Sequence, residues 1–325
     1  MKKILIVTGG SGGHVIPSLS IYDILKDNFE VQIATDLRGS KYINNNDYNY
    51  SLIDVPNLFS NFLLLPFNLI KFCISILKSY KYLKINNYNT LISTGGYMSL
   101  PLCLASNLLN IKTYIFEPNS VIGRANKLTL SFAKKVICYD KNLKGISKKF
   151  SSKVYPISPL LRKEIYKYQR NEKTILDKQK KILIIGGSQG AKFFDEFISK
   201  TIIKLSKIDR DNDYYIYGGL KNEIENLRKK NINNNLYLYE NVPYVSLARK
   251  MLEMDILTIP YTKNIKSAGE VDDISKYTSP LKLFDYLAVG KIIISSDLKV
   301  LREVINSKNA KFVKNFENIF EWKKN

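Results

Sequence analysis

Ile4-Leu5-Ile6-Val7-Thr8-Gly9-Gly10-Ser11-Gly12-Gly13-His14 is the stretch that decides the fold. Ile4 to Val7 are apolar, mostly β-branched and bounded by glycine, the pattern of a parallel strand buried on both faces. Val15, Ile16 and Pro17 follow, and Leu19, Ile21, Ile24 and Leu25 recur at helical spacing, so a helix begins beside the glycines. Glycine lets backbone approach a ligand closely, and the exposed N–H groups of a helix start favour an anion or an oxygen-rich group. Two better-known loops are excluded. A dinucleotide fingerprint beginning at Gly10 needs glycine where Val15 stands, and a P-loop needs Gly-Lys-Ser/Thr where Gly13-His14-Val15 stands. His14 is the single histidine of the chain. At the mouth of such a loop, where carboxyl ends of parallel strands gather ligands, it reads as a general base rather than a packing residue.

With 325 residues the chain exceeds one usual core, and two domains are expected. Cys73, Cys103 and Cys138 are too few and too scattered for a disulfide framework or a metal site, which points to a reducing compartment. The sequence enters its first strand directly after Lys2-Lys3, so no secretory signal is expected. A formal net charge of +21 asks for an acidic partner. Lys, Asn, Ile and Tyr are abundant together, a bias that AT-rich coding alone can produce. No nucleic-acid module is recognisable, so phosphates of a nucleotide sugar and an anionic membrane face rank above nucleic acid as partners.

Glu30 to Thr35 reads as a second strand, followed by an Asn-rich loop at Asn44-Asn45-Asn46. Leu58 to Leu77 is the most apolar span, yet Asn61, Pro66, Asn68 and Lys71 interrupt it and argue against a membrane crossing. It is either a buried helix or an apolar patch dipping into a bilayer interface, with Lys71, Lys78, Lys81 and Lys84 facing anionic lipid. Thr90 to Thr94 repeats the strand, and Gly95-Gly96-Tyr97 the glycine turn. The strand Thr113 to Phe116 runs into Glu117-Pro118-Asn119-Ser120-Val121-Ile122-Gly123-Arg124-Ala125-Asn126, a polar loop placed to line the same site as His14 or to cap a helix. Val136 to Tyr139 and Lys153 to Pro156 are the last strands of the first half. After a linker at Ile157-Ser158-Pro159, Lys181 to Ile185 and Gly186-Gly187-Ser188-Gln189-Gly190-Ala191 restart the strand-loop-helix grammar. Strands at Tyr214 to Tyr217, Leu236 to Tyr239 and Ile256 to Ile259 continue it, and Phe312, Val313, Phe316, Ile319, Phe320 and Trp322 read as a terminal amphipathic helix. The expectation is an α/β protein of two doubly wound Rossmann-like domains facing a cleft, 1–158 and 159–325.

These motifs, in this order, resemble the MurG family of bacterial N-acetylglucosaminyltransferases, which complete lipid II in peptidoglycan synthesis. The likeness rests on Thr8-Gly9-Gly10-Ser11-Gly12-Gly13-His14-Val15 with Pro17, on Gly95-Gly96-Tyr97, on Glu117-Pro118-Asn119-Ser120 with Gly123 and Asn126, and on Gly186 to Ala191. It covers about the first 200 residues. The resemblance implies the GT-B fold, no metal and no cofactor, a UDP-sugar donor, a polyprenyl-diphosphate-linked acceptor, and a peripheral place on the cytoplasmic face of the cell membrane. It implies that Gly10, Ser11, Gly12 and Gly13 lie near the acceptor diphosphate, that Gly95, Gly96 and Tyr97 share the acceptor site, and that Asn119 and Asn126 orient His14 or the acceptor sugar. Gly187, Ser188, Gln189 and Gly190 would hold the donor diphosphate, with Arg162 and Lys282 as cationic help. The last third departs from that family. Ser279-Pro280-Leu281-Lys282-Leu283-Phe284-Asp285-Tyr286-Leu287-Ala288-Val289-Gly290 is similar to the nucleotide-sugar segment of glycosyltransferase family 4, with Asp285 in place of Glu as the ribose acceptor. Two further readings stay open: a GT-B transferase adding a different sugar to a lipid-linked or envelope glycan, and a non-catalytic subunit that recruits a transferase to the membrane. A dinucleotide-dependent oxidoreductase or epimerase is disfavoured by Val15.

Overall fold

Each alternating residue of the first strand is committed to one of two cores, which makes the strand central to a sheet covered on both faces. Strand β1 (Lys3–Thr8) sends Ile4 and Ile6 into a cluster with Val15, Ile21, Val31 and Ile33, and Leu5 and Val7 into another with Leu91, Leu102 and Cys103. Leu5 and Ile6 are fully buried. A buried aliphatic side chain of this kind contributes about 1.5–3 kcal/mol, and truncating it to alanine costs about 2–5 kcal/mol.

The computed structural model describes residues 1–55, 65–167, 179–186, 201–218, 221–230, 233–240, 242, 244–261, 281–315 and 318–324. The chain divides into two units, Met1–Lys163 and Glu164–Asn325. In the first, β1 is joined by β2 (Glu30–Thr35), β3 (Tyr50–Leu52), β4 (Thr90–Gly95), β5 (Lys112–Glu117), β6 (Lys135–Cys138) and β7 (Val154–Pro156). All pair in parallel, in the order β3-β2-β1-β4-β5-β6-β7. The second unit repeats the plan with β8 (Lys181–Ile185), β9 (Asp213–Tyr217), β10 (Leu236–Tyr239), β11 (Ile256–Ile259), β12 (Ile292–Ser296) and β13 (Ala310–Val313), ordered β10-β9-β8-β11-β12-β13. Both are Rossmann-like. In each, strand order reverses beside the first strand, between β1 and β4 or β8 and β11, where open parallel sheets bind their ligands.

The helices of the first unit are α1 (Gly12–Leu25), α2 (Leu37–Ser40), α3 (Leu65–Ile85), α4 (Ser99–Leu108) and α5 (Arg124–Thr129). Helix α3 has both a buried side and an exposed apolar side. Asn68, Phe72, Ser75, Ser79 and Leu83, three or four residues apart, are buried, while Phe67, Ile70, Ile74 and Leu77 are exposed on the rest of the helix. Lys71, Lys78, Lys81 and Lys84 are exposed beside them. No helix among the described residues is long and apolar enough to cross a membrane, and the start of the span, 58–64, lies outside them.

The C-terminal tail corrects an expectation. Phe312 and Val313 belong not to a helix but to β13, paired with Ser295 and Ser296 of β12; the helix is confined to Ile319–Lys324, and Phe316 lies outside the described residues. Glu321 accepts the N–H groups of Lys314 and Asn315, at 2.8 and 2.9 Å, and so ties the turn between the two elements. Apolar residues spaced for a helix were shared between a buried strand and a short docked helix that seats Trp322 in the core.

Candidate active site

The site is built where β1 and β4 lie side by side. After Thr8 the chain turns through Gly9 and Gly10 (φ +83°), and Ser11 precedes the first turn of α1, which carries half-buried His14. The His14 Nδ1 lies 2.8 Å from the carbonyl oxygen of Thr94, at the end of β4. A carbonyl only accepts, so Nδ1 is the protonated nitrogen and Nε2 keeps its lone pair. That is the tautomer a general base requires.

The second glycine turn exists because the two loops touch through their backbones. Gly95 (φ +96°) and Gly96 (φ +87°) both occupy left-handed backbone. A Cβ at Gly96 would stand 2.7 Å from the Gly9 oxygen; one at Gly95 would stand 3.1 Å from the His14 ring and 3.2 Å from Asn126 Nδ2. The space for the imidazole is therefore made by the absence of a side chain. Tyr97 packs against α3, its ring centroid 6.0 Å from that of Phe72.

Behind His14, fully buried Glu117 organises the polar loop that follows β5. Its Oε1 accepts from the Asn119 backbone (3.2 Å) and side chain (3.0 Å), and its Oε2 from Gly123 N–H (2.8 Å) and Asn126 Nδ2 (2.9 Å). A buried carboxylate is tolerated when several donors satisfy it, and here four converge. Asn126 Oδ1 accepts from Ser93 Oγ (3.4 Å), which in turn accepts from Gly95 N–H (3.2 Å). Asn119 does not cap α5, whose N-cap is Gly123. Glu117 and Asp36 are the loop-organising positions that sequence reasoning left without a role. Asp36, at the end of β2, accepts Gly10 N–H (3.0 Å) and Gly39 N–H (2.8 Å) through one oxygen. The only signal for either was an acidic residue directly after an apolar strand. Burial pushes the Cys103 thiol up to about 12 and the Cys138 thiol up to about 11, which makes both poor nucleophiles.

Of the expected donor residues, Gly187, Ser188, Gln189 and Gly190 lie outside the described residues. Lys282 donates to the carbonyls of Ile185 (3.0 Å) and Gly186 (2.7 Å), holding the end of β8 just before that loop. Asp285, one turn further along the helix Leu281–Val289, is buried. Arg162 falls in the first unit. Among the described residues no group of three or more His, Cys, Asp and Glu could hold a metal ion.

Residues 4–138, which contain His14, Thr94, Gly95 and the Glu117 loop, match the glycosyltransferase family 28 N-terminal domain. Over 209 residues the chain is 48% identical to the UDP-N-acetylglucosamine--N-acetylmuramyl-(pentapeptide) pyrophosphoryl-undecaprenol N-acetylglucosamine transferase of Pelagibacter ubique, covering 63% of this chain and 57% of that one. It is 34% identical over 210 residues to the protein of the same name in Rickettsia felis, covering 62% and 57%. The matched stretch thus spans a little over half the length of these relatives. Among solved structures, MurG of Acinetobacter baumannii superposes with a TM-score of 0.61 at 20% identity, covering 96% of this chain and 86% of that one. The UDP-GlcNAc 2-epimerase of Neisseria meningitidis bound to UDP-GlcNAc gives 0.61 at 16% identity, covering 99% and 90%. At these identities the likeness shows the fold, two parallel-sheet α/β units of the GT-B kind. His14, Gly95 and the Glu117 loop all lie inside the matched residues.

Proposed function

We propose that this chain transfers N-acetylglucosamine from UDP-N-acetylglucosamine to the lipid-linked N-acetylmuramyl-pentapeptide, lipid I, in peptidoglycan synthesis. The observation that carries the reading is His14, held through Nδ1 by the Thr94 carbonyl at the switch point of a family 28 domain. The names of the relatives from Pelagibacter ubique and Rickettsia felis support the donor and the acceptor.

In this reading the acceptor hydroxyl lies against His14 Nε2. As its oxygen bonds to the anomeric carbon of the donor sugar, the proton passes to Nε2, the bond from that carbon to the diphosphate oxygen breaks, and UDP leaves. A positioned base of this kind contributes about 10²–10⁴-fold. Gly10 to Gly13 receive the acceptor diphosphate, and Asn119 and Asn126, oriented by Glu117, define the wall beside the acceptor sugar. Gly187 to Gly190, with Ser188 and Gln189, take the donor diphosphate. Lys282 acts on that loop through the end of β8, and Asp285 takes the ribose. The exposed side of α3, with Phe67, Ile70, Ile74 and Leu77 among lysines, seats the protein on an anionic bilayer, peripherally and on the cytoplasmic face.

Turnover by the purified chain with lipid I in detergent and UDP-N-acetylglucosamine tests this, with His14→Ala as control and a panel of other sugar nucleotides beside it. Product that disappears in the variant supports the reaction and its base. Turnover only with another donor supports the second reading, a transferase of a different sugar, which the family-4-like segment around Asp285 favours. Silence across the panel points to the recruiting subunit.

A further inference from the structure

Beyond the glycine motif itself, the geometry points to Arg38 as the residue that reads the acceptor diphosphate, its guanidinium being held over the Gly10 turn by Asp36.

Asp36 divides its two oxygens between different tasks. Oδ1 accepts both backbone N–H groups, from Gly10 and Gly39, and so fastens the loop after β1 to the loop after β2. Oδ2 faces the Arg38 guanidinium, with Nε and Nη2 each at 3.4 Å. The loop anchor is complete without the arginine. An ion pair of that length between a carboxylate and a side chain that is 71% exposed contributes little stability. What it does is aim the guanidinium. A Cβ placed on Gly10 would meet one neighbour, Arg38 Nη2 at 3.6 Å, so the space over the turn is open except for this group. A Cβ on Gly13 would likewise meet only Ser11 Oγ, at 3.6 Å. An open turn of glycines with a planar, five-donor cation beside it fits a diphosphate. The guanidinium fork matches two phosphate oxygens at once, and a diphosphate carries more charge than the Asp36 oxygen it would replace. Gly10 itself is required by its left-handed φ of +83°, and a Cβ there would only touch Arg38 Nη2 at ordinary contact distance.

The assignment rests on the acceptor reading above, and its test is chosen to fail separately from that reading. Because His14 is the only histidine, its Cε1–H proton gives an NMR signal that no other histidine overlaps, four residues from Gly10. Inorganic pyrophosphate is titrated into the full chain without any donor. The expected result is a saturable shift of the His14 signal in the natural protein, about tenfold or more weaker in Arg38→Ala and intermediate in Arg38→Lys, since lysine keeps the charge but not the fork. The melting temperature of Arg38→Ala should stay at that of the natural chain, which separates lost binding from lost folding. In turnover with lipid I, Arg38→Ala should raise the acceptor KM by about the same factor while kcat changes less. An Arg38→Ala titration that overlays the natural one overturns the inference, and so does a natural chain whose His14 signal does not respond. Absence of turnover by the natural chain would count against the proposed reaction alone, and the pyrophosphate titration would still judge Arg38.

Discussion

His14 Nδ1 and the Thr94 carbonyl oxygen, from positions eighty residues apart, meet at 2.8 Å. The contact does two things for one imidazole. It sets the ring's orientation, and it assigns the proton to Nδ1, so the lone pair is on the other nitrogen. A backbone carbonyl is a partner that side-chain substitution does not delete, so tests of this pairing must displace it.

Gly95→Ala is such a displacement. The residue sits at φ +96°, and the new methyl would stand 3.1 Å from the His14 ring and 3.2 Å from Asn126 Nδ2. The expected loss is about 1–3 kcal/mol of stability from the backbone alone, with kcat falling further as the ring leaves its carbonyl. Gly13→Ala, in helix α1 with only an ordinary contact to Ser11 Oγ, should hold or raise stability. Urea midpoints of the two variants, read beside single-turnover rates, check this. Equal midpoints would contradict it.

Glu117→Gln changes one oxygen into an NH₂ group where donors already converge. Asn119 N–H and Nδ2 meet one carboxylate oxygen, and Gly123 N–H and Asn126 Nδ2 the other. Whichever way the amide turns, two donors lose their acceptor and face another donor. We expect a stability loss of about 1–3 kcal/mol or more, together with a lower kcat because Asn126 stands beside Gly95 and His14. A variant as stable and as active as the natural chain would show that the four bonds do not organise the loop.

Stability should fall as pH rises into the alkaline range. Burial pushes Cys103 up to about 12 and Cys138 up to about 11, and Tyr214 is raised by burial and by Asp209. In each case the folded chain keeps a proton that the unfolded chain releases at lower pH. Their contribution is therefore fully present below the ordinary thiol value of about 8.5 and is lost as pH climbs through the raised values. Urea midpoints followed from about pH 8 to pH 11 should decline, and Cys103→Ala should lessen the slope. A flat profile would sink the argument.

Cys73 reports on the face of α3. It is the exposed cysteine, on the helix that carries Phe67, Ile70, Ile74 and Leu77, whereas Cys103 and Cys138 are buried. A water-soluble thiol reagent should modify one cysteine rapidly in the native chain and all three after unfolding. Vesicles containing anionic lipid should slow that single reaction, and neutral vesicles should slow it less. Undiminished labelling on anionic vesicles at saturating lipid would place the membrane face elsewhere.

Much of the fold was legible because its signals are local. Strands Glu30–Thr35, Lys181–Ile185, Leu236–Tyr239 and Ile256–Ile259 stand where their apolar runs and flanking breakers put them. Glycine density marked the turns after β1 and β4, and a lone histidine beside one of them marked the place where the two turns meet. Strands β3 and β12 were not read from the sequence, and the apolar residues of β13 were read at helical spacing with those of the terminal helix.

By itself, then, the sequence determined the alternation of strand and helix, the doubling of that plan, and the residue types available at each strand's end. Only the tertiary structure decided which ends meet. β1 pairs with β4 rather than only with its successor, because the chain returns to the other side of the first strand, and this brings Thr94 and Gly95 to His14. The same order sets β5 next, which delivers Glu117 and through it Asn126. Such neighbours are chosen by crossovers between distant segments and by the shared burial of both sheet faces, a long-range balance that no local pattern of residues encodes.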